Sequence, residues 1–385
     1  MRDSIVTSPP STPERAGATP PRAIIAHDFA ETYGGAERTI AILAEMYPDA
    51  PFWTILGRQA VAERMGVADR FHSLLPARER LFRSYRRLAP IYPSLVRLRP
   101  LPDSDVLLTS SFAFAHGFST RNRAPQVCYC YSPPRFAWSM REDYAEHYAS
   151  AGVSRVGYGA FAAWMRFADR RAATRVTRFV AESHYVADQI RRFYGRDADV
   201  VHPPVDCGTF RPPPEPGHGD YYLFCSRLVE PYKRASTAID AFRSLPDRLV
   251  IANNGPAYRE LRERAPANVE FVGKVPQDEL VSLMQRCRAV IFPSKDDFGL
   301  VPLEAMACGR PAIAYGAGGA LETVVPGVTG ELFAEQTPES LREAVRDFDP
   351  AAYDPAAVRR HAESFDVPRF RDAMRGIIEE VASST

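Results

Sequence analysis

Short runs of apolar and β-branched residues recur along the chain, each followed by a turn and then by an amphipathic run of helical period. In the first half these runs are Ala23–His27, Phe52–Ile55, Val106–Thr109, Val127–Tyr131 and Phe179–Ser183. In the second they are Tyr222–Ser226, Leu249–Asn253, Val269–Val272, Val290–Pro293 and Ala312–Tyr315. Helical runs such as Ala36–Met46, Arg155–Thr174, Ser236–Ser244 and Pro276–Cys287 fall between them. A strand that is apolar along its length is buried on both faces, and its alternation with helices predicts parallel sheets covered on both sides. The repeat is interrupted at His202–Asp220 (HPPVDCGTFRPPPEPGHGD), where the proline density opposes both helix and central strand. The reading is therefore α/β: two Rossmann-like, doubly wound domains, 22–205 and 206–366, joined by a proline-rich hinge. An amphipathic run follows at 367–385. Ligands of such sheets bind beyond the carboxyl ends of the strands, so the cleft between the domains is the expected site.

Composition narrows the function. With 385 residues, 45% hydrophobic and 25% charged, the chain has room for two real cores. A formal charge of +1 offers no field for nucleic acid. The halves differ: residues 1–200 hold 27 basic and 20 acidic side chains, the remainder 21 and 27. No apolar run reaches the roughly 18 residues of a spanning helix. Residues 1–21 lack an apolar core segment and read as a disordered polar lead. Of the six cysteines none forms a C-x-x-C pair; Cys128 and Cys130 would share one face of a strand, so buried, reduced thiols are expected.

The richest chemistry lies in Pro293–Phe333, PSKDDFGLVPLEAMACGRPAIAYGAGGALETVVPGVTGELF. Asp296 sits in a loop after a strand, and Glu304, eight residues on, lies one turn into a helix expected to open near Pro302 and close before Gly309. The amides of Phe298, Gly299 and Leu300 would be free at the helix start and form an anion cradle. Carboxylates flanking such a cradle suit a ligand anionic in its middle and rich in hydroxyls at both ends, as a nucleotide-sugar is. The segment SRLVEPYKR supplies Arg227 and Lys233. The chain has three lysines (Lys233, Lys274 and Lys295) against 45 arginines, so lysine at 233 points to a compact ammonium placed for a departing diphosphate. In the first half, Gly34 and Gly35 of YGGAER let the backbone approach a ligand. The run YCYSPPRFAW forms a rigid loop carrying Tyr131 and Arg135, either structural or part of an acceptor and sugar loop.

GGAER, the Arg227 and Lys233 pair, and DDFGLVPLEAMACGRPAIAYGAGGALETV, in this order and spacing, resemble glycosyltransferase family 4, retaining enzymes of the GT-B fold. The Pro293–Phe333 and YCYSPPRFAW segments look closest to mannosyltransferases of exopolysaccharide and O-antigen assembly. The resemblance implies that Arg227 and Lys233 hold the donor diphosphate, helped by the amides of Phe298 to Leu300. It implies that Asp296 contacts the donor sugar, Glu304 the ribose, and that Gly34 and Gly35 make room from the opposite domain. It further implies GDP-mannose as donor, a glycan or lipid-linked acceptor, no metal or other cofactor, and a last helix that crosses back to the first domain. Two departures stand out. Asp296 replaces a glutamate and is one methylene shorter, and Tyr131–Ser132 stand where many relatives carry His-Thr. A UDP-hexose or another GDP-sugar is therefore an alternative donor, and a non-catalytic nucleotide-sugar-binding subunit an alternative role.

Other motifs carry less. Asp297–Gly299 spells DFG without a kinase catalytic loop. GAGGAL at Gly316–Leu321 begins like a dinucleotide fingerprint but places Leu321 at the third glycine. The histidines and cysteines show no zinc spacing. Residues 78–99 hold seven arginines and one glutamate, with Phe82, Tyr85 and Leu88 at helical spacing. That pattern suits either an anionic membrane surface or an ordinary helix packed on its own domain. The resemblance to family 4, whose members often take acceptors carried on a membrane lipid, implies the former, a cytoplasmic protein peripheral to the inner face of the plasma membrane.

Overall fold

The computed structural model describes residues 21–150, 154–215, 217 and 219–384, so the polar lead expected at 1–21 lies, but for Pro21, outside the described residues. Two parallel sheets form. The first runs β3-β2-β1-β4-β5-β6-β7, from Ala23–Ala30 (β1), Phe52–Gly57 (β2), Phe71–Ser73 (β3), Val106–Ser111 (β4), Gln126–Cys130 (β5), Arg178–Ala181 (β6) and Ala198–Val200 (β7). The second runs β10-β9-β8-β11-β12-β13, from Tyr221–Phe224 (β8), Arg248–Ala252 (β9), Val269–Gly273 (β10), Val290–Phe292 (β11), Ala312–Tyr315 (β12) and Gly330–Phe333 (β13). This is the GT-B arrangement of two doubly wound domains.

Every expected strand is present. β3, β7 and β13 were not anticipated, because each lies at a sheet edge, spans three or four residues and is only partly buried. An edge strand covered on one side needs no continuous apolar run. The central strands do: β1 and β4 are buried at every position. β1 is flanked by β2 and β4, and β8 by β9 and β11, so strand order reverses there in each sheet. The loops leaving β1, β8 and β11 therefore open into the crevice between the domains.

The expected linker is shorter than its composition suggested. Val205, Cys207 and Phe210 are buried in the second core, so the proline-rich stretch up to Phe210 packs on that domain. The chain returns alongside itself, with the Val205 amide donating to the Phe365 carbonyl at 2.9 Å. It then enters the helix Val367–Ser383, whose Phe370, Met374, Ile378 and Val381 are buried in the core of the first sheet. The first domain is thus discontinuous in sequence. All six cysteines are buried and free, and Cys128 and Cys130 pack in one cluster against Ala173, Val176 and Phe179.

Residues 78–99 do not form one amphipathic helix. They form a helix Glu79–Ser84, a 3-10 segment Tyr85–Ile91 that contains Pro90, and a helix Tyr92–Leu98. Phe82, Tyr92 and Val96 are buried, and Tyr85, Leu88 and Ala89 pack against the same core. Their apolar side faces inward, leaving Ile91 and Leu98 exposed. Among the described residues no helix is long and apolar enough to cross a membrane.

Candidate functional site

The crevice holds a cavity of about 570 Å³, within the range of small-molecule sites. Its second-domain wall is built by the loop after β11. Gly299 adopts φ +92°, and a Cβ there would sit 2.8 Å from the Phe292 ring, so the turn into the next helix requires glycine. That helix spans Leu300–Ala307 and begins two residues before the expected position, with Pro302 in its first turn. A proline there loses nothing, since first-turn amides have no helical acceptor. The Phe298 and Gly299 amides donate to no group among the described residues.

The GAGGAL segment supports this loop from behind. The Gly319 amide donates to the Asp296 carbonyl at 3.0 Å. A Cβ at Gly318 would lie 2.3 Å from the Asp296 oxygen, and one at Gly319 2.2 Å from the Phe298 Cα. The two glycines let the backbones touch; they have no part in a dinucleotide fingerprint.

Arg227, Lys233, Asp296, Phe298, Gly299, Leu300, Glu304, Gly34, Gly35 and Tyr131 all line this one cavity. Lys233 is hydrogen-bonded to Asp296 and pairs with it. Burial pushes the Asp296 carboxyl up, but the charge and hydrogen bond of Lys233, with Arg135 nearby, bring it below the usual carboxylate range. Arg227 is exposed and has no ion pair among the described residues. The Gly34 amide donates to the Glu37 carboxylate at 2.9 Å, which caps the helix Gly35–Glu45. A Cβ at Gly35 would come within 3.3 Å of Leu300 in the other domain. Here glycine sets how closely the walls approach.

Tyr131 is buried, and its hydroxyl donates to the Ala36 carbonyl at 2.9 Å while accepting from Ser110 at 3.1 Å. Burial raises its phenol well above the ordinary value, so it stays neutral. Arg135 does not line the cavity. Its Nε donates to Asp297 at 2.6 Å across the domain boundary, and its guanidinium lies 4.5 Å from the Tyr232 ring centre. Asp297, the aspartate of DFG, also accepts from Gln189 at 3.2 Å, and its carbonyl accepts from Ser183 at 2.6 Å. A second contact joins the domains at Glu322, which accepts from the amides of His184 and Tyr185 at 2.9 and 3.0 Å and pairs with His202.

Sequence reasoning missed Arg38, Glu182 and Lys274. Arg38 belongs to GGAER and pairs across the cleft with Glu304 at 2.5 Å, which raises its pKa. Lys274 follows β10 and brings a second of the three lysines to the cavity. Its rarity was a usable signal, though it stood in no motif. Glu182 follows β6, in a segment whose only visible signal was a strand.

Two family models divide the chain between them. "Glycosyltransferase Family 4" matches residues 33–209 and "Glycosyl transferases group 1" matches 209–349. The chain belongs to glycosyltransferase family 4. This family 4 member is 30% identical to the D-inositol 3-phosphate glycosyltransferase of Jonesia denitrificans, over 48% of this chain and 53% of that protein. It is 28% identical to an uncharacterized glycosyltransferase of Methanocaldococcus jannaschii, over 47% and 52%. The chain thus spans about half the length of the curated relatives it matches. Among solved structures, Anabaena HepE in complex with UDP-glucose has a TM-score of 0.70 at 20% identity, covering 94% of this chain and 100% of HepE. Sucrose-phosphate synthase from Thermosynechococcus elongatus has a TM-score of 0.65 at 16% identity, covering 94% and 100%. The family 4 chain shares the fold of both.

Proposed function

We propose that the chain is a retaining glycosyltransferase that moves a hexose from a nucleotide-diphosphate sugar onto a glycan or lipid-linked acceptor. The observation that carries this reading is the convergence in one cavity of Arg227, Lys233 and the Phe298 and Gly299 amides, unengaged among the described residues, flanked by Asp296 and Glu304. Cations and oriented amides in a crevice suit a diphosphate, and carboxylates on either side suit the hydroxyls of sugar and ribose. Without donor, Lys233 and Arg38 neutralise those two carboxylates. With donor, Lys233 turns to the diphosphate, Asp296 to the hexose and Glu304 to the ribose. The bond between the anomeric carbon and the phosphate oxygen breaks as the acceptor hydroxyl attacks the same face. Its proton passes to the leaving diphosphate. Arg227 and Lys233 neutralise the charge formed there, in the place a metal would take.

GDP-mannose is the proposed donor, on the resemblance of Pro293–Phe333 to mannosyltransferases. A UDP-hexose is the second reading, favoured by the shorter reach of Asp296; HepE, of like fold, is solved with UDP-glucose. The test is nucleotide release with EDTA present, across GDP-mannose, GDP-fucose, UDP-glucose, UDP-galactose and UDP-N-acetylglucosamine. Turnover of one donor, lost in Lys233→Ala, is the expected result. No turnover together with no binding of GDP or UDP would favour a non-catalytic subunit.

The proposed place of work is the inner face of the plasma membrane, reached by reversible adsorption. Ile91 and Leu98 are exposed, as are Val156, Trp164 and Phe167 of the helix Arg155–Ala173, and the Trp164 indole donates to the Pro90 carbonyl at 3.1 Å. Arg97, Arg123 and Arg171 stand close enough to lower the pKa of Arg175, after burial, the larger cause. Sedimentation with anionic vesicles should show binding at low salt that Trp164→Ala with Phe167→Ala weakens. Absence of binding at low salt would rule the adsorption out.

A further inference from the structure

Glu182, Asp296 and Glu304 line the cavity and Asp297 follows Asp296; three of these four carboxylates have a cation. Asp296 has Lys233, Asp297 has Arg135 and Glu304 has Arg38. Glu182 has none: its side chain makes no hydrogen bond or ion pair among the described residues, although it is 9% exposed and lines the cavity. Its backbone is held on both sides. The Glu182 amide donates to the Cys130 carbonyl at 3.2 Å. The next residue, Ser183, caps the helix His184–Tyr194 and donates to the Asp297 carbonyl at 2.6 Å. The carboxyl therefore has a fixed origin on the first-domain wall of the cavity, close enough to Asp296 and Lys233 to feel both charges.

We propose that Glu182 positions the transferred sugar by donating its carboxyl hydrogen to a sugar hydroxyl from the first-domain side of the cleft. The proposal rests on the cavity being a sugar-donor site. A carboxyl can donate only while it holds its proton, and the surroundings keep it there. Burial disfavours the charge first, and Asp297 and Asp296 repel it. Arg135 and Lys233 oppose that effect, but each is already paired with one of those aspartates. The other titratable groups near it, Tyr129, Cys130 and Tyr131, are buried with pKa values raised well above the ordinary and add no cation. Held this way, the carboxyl lies well above its usual range and favours the neutral acid. A bound diphosphate strengthens the same preference. Asp296 accepts from the sugar on one wall, and Glu182 donates to it on the other.

The test compares wild type, Glu182→Ala and Glu182→Gln on the donor that is turned over. Glu182→Ala should lower kcat/KM at least about tenfold, the scale of one buried hydrogen bond left unmade. Glu182→Gln, whose amide also donates, should recover most of that loss. Wild type should lose kcat/KM on the alkaline side as the acid ionises, and Glu182→Gln should lack that limb. Superimposable pH profiles, or an unimpaired Glu182→Ala, would overturn the proposal. If the wild type turns over no donor, the transferase reading fails first, and thermal melting against pH still judges Glu182. A carboxyl with a raised folded pKa contributes stability that is lost as pH rises, because the unfolded chain releases the proton earlier. The melting advantage of Glu182→Gln over wild type should therefore widen with pH, and parallel curves would overturn the neutral acid.

Discussion

Lys233→Ala removes two things at once, and the structure allows them to be separated. The Lys233 and Asp296 side chains are 19% and 10% exposed. At an effective dielectric near 20, charges 4 Å apart attract by about 4 kcal/mol, and deleting one partner of a buried pair costs about 3–5 kcal/mol because the other charge is stranded. Lys233→Ala should therefore melt at a lower temperature and push the Asp296 carboxyl upward. It should also lose the cation that stabilises the departing diphosphate, about 3 kcal/mol or roughly a hundredfold in turnover. Adding Asp296→Asn removes the stranded charge, so the double variant should regain most of the stability and none of the turnover. Calorimetric melting and nucleotide release, the latter measured well below each melting temperature, read the two effects apart. Near-normal release by Lys233→Ala, or turnover recovered along with stability in the double variant, would refute the diphosphate role.

Other consequences are as direct. Glu304→Gln should weaken binding of the free nucleotide diphosphate about tenfold or more, read by titration calorimetry, since a ribose contact made by a carboxylate is worth about 1.5–3 kcal/mol. Gly319→Ala puts a Cβ 2.2 Å from the Phe298 Cα, so it should destabilise by about 1–3 kcal/mol and abolish nucleotide binding by displacing the cradle. Burial raises the Glu322 carboxyl, but its bonds to His202 and to the His184 and Tyr185 amides bring it below the ordinary value. The stability it adds is present above the ordinary glutamate range and is lost as pH falls through its folded value. Glu322→Gln should accordingly flatten the acid limb of a melting titration, and an unchanged limb would show that the contact adds nothing.

Much of the fold was legible because its central strands are buried on both faces, and such strands must be apolar along their length. Edge strands escape that rule, which is why Phe71–Ser73, Ala198–Val200 and Gly330–Phe333 stayed hidden. The arginine-rich stretch 78–99 shows the opposite limit. Helical spacing of Phe82, Tyr85 and Leu88 marks an apolar face without saying what covers it, and here the cover is the domain's own core.

The site divides the same way. Sequence alone determined the second-domain half, since Asp296, Phe298, Gly299 and Glu304 lie within one loop and helix, with Arg227 and Lys233 in another loop. Local spacing sets their relative positions because a strand, a turn and a helix have fixed geometry. Only the tertiary structure decided what faces that half. Arg38 meets Glu304, Arg135 meets Asp297 rather than the cavity, and Glu182 is left without a paired cation among the described residues. These pairings join residues more than a hundred positions apart, and they depend on how two sheets are docked across a hinge. Charge pairing and burial are properties of that docking, so no motif within a segment carries them.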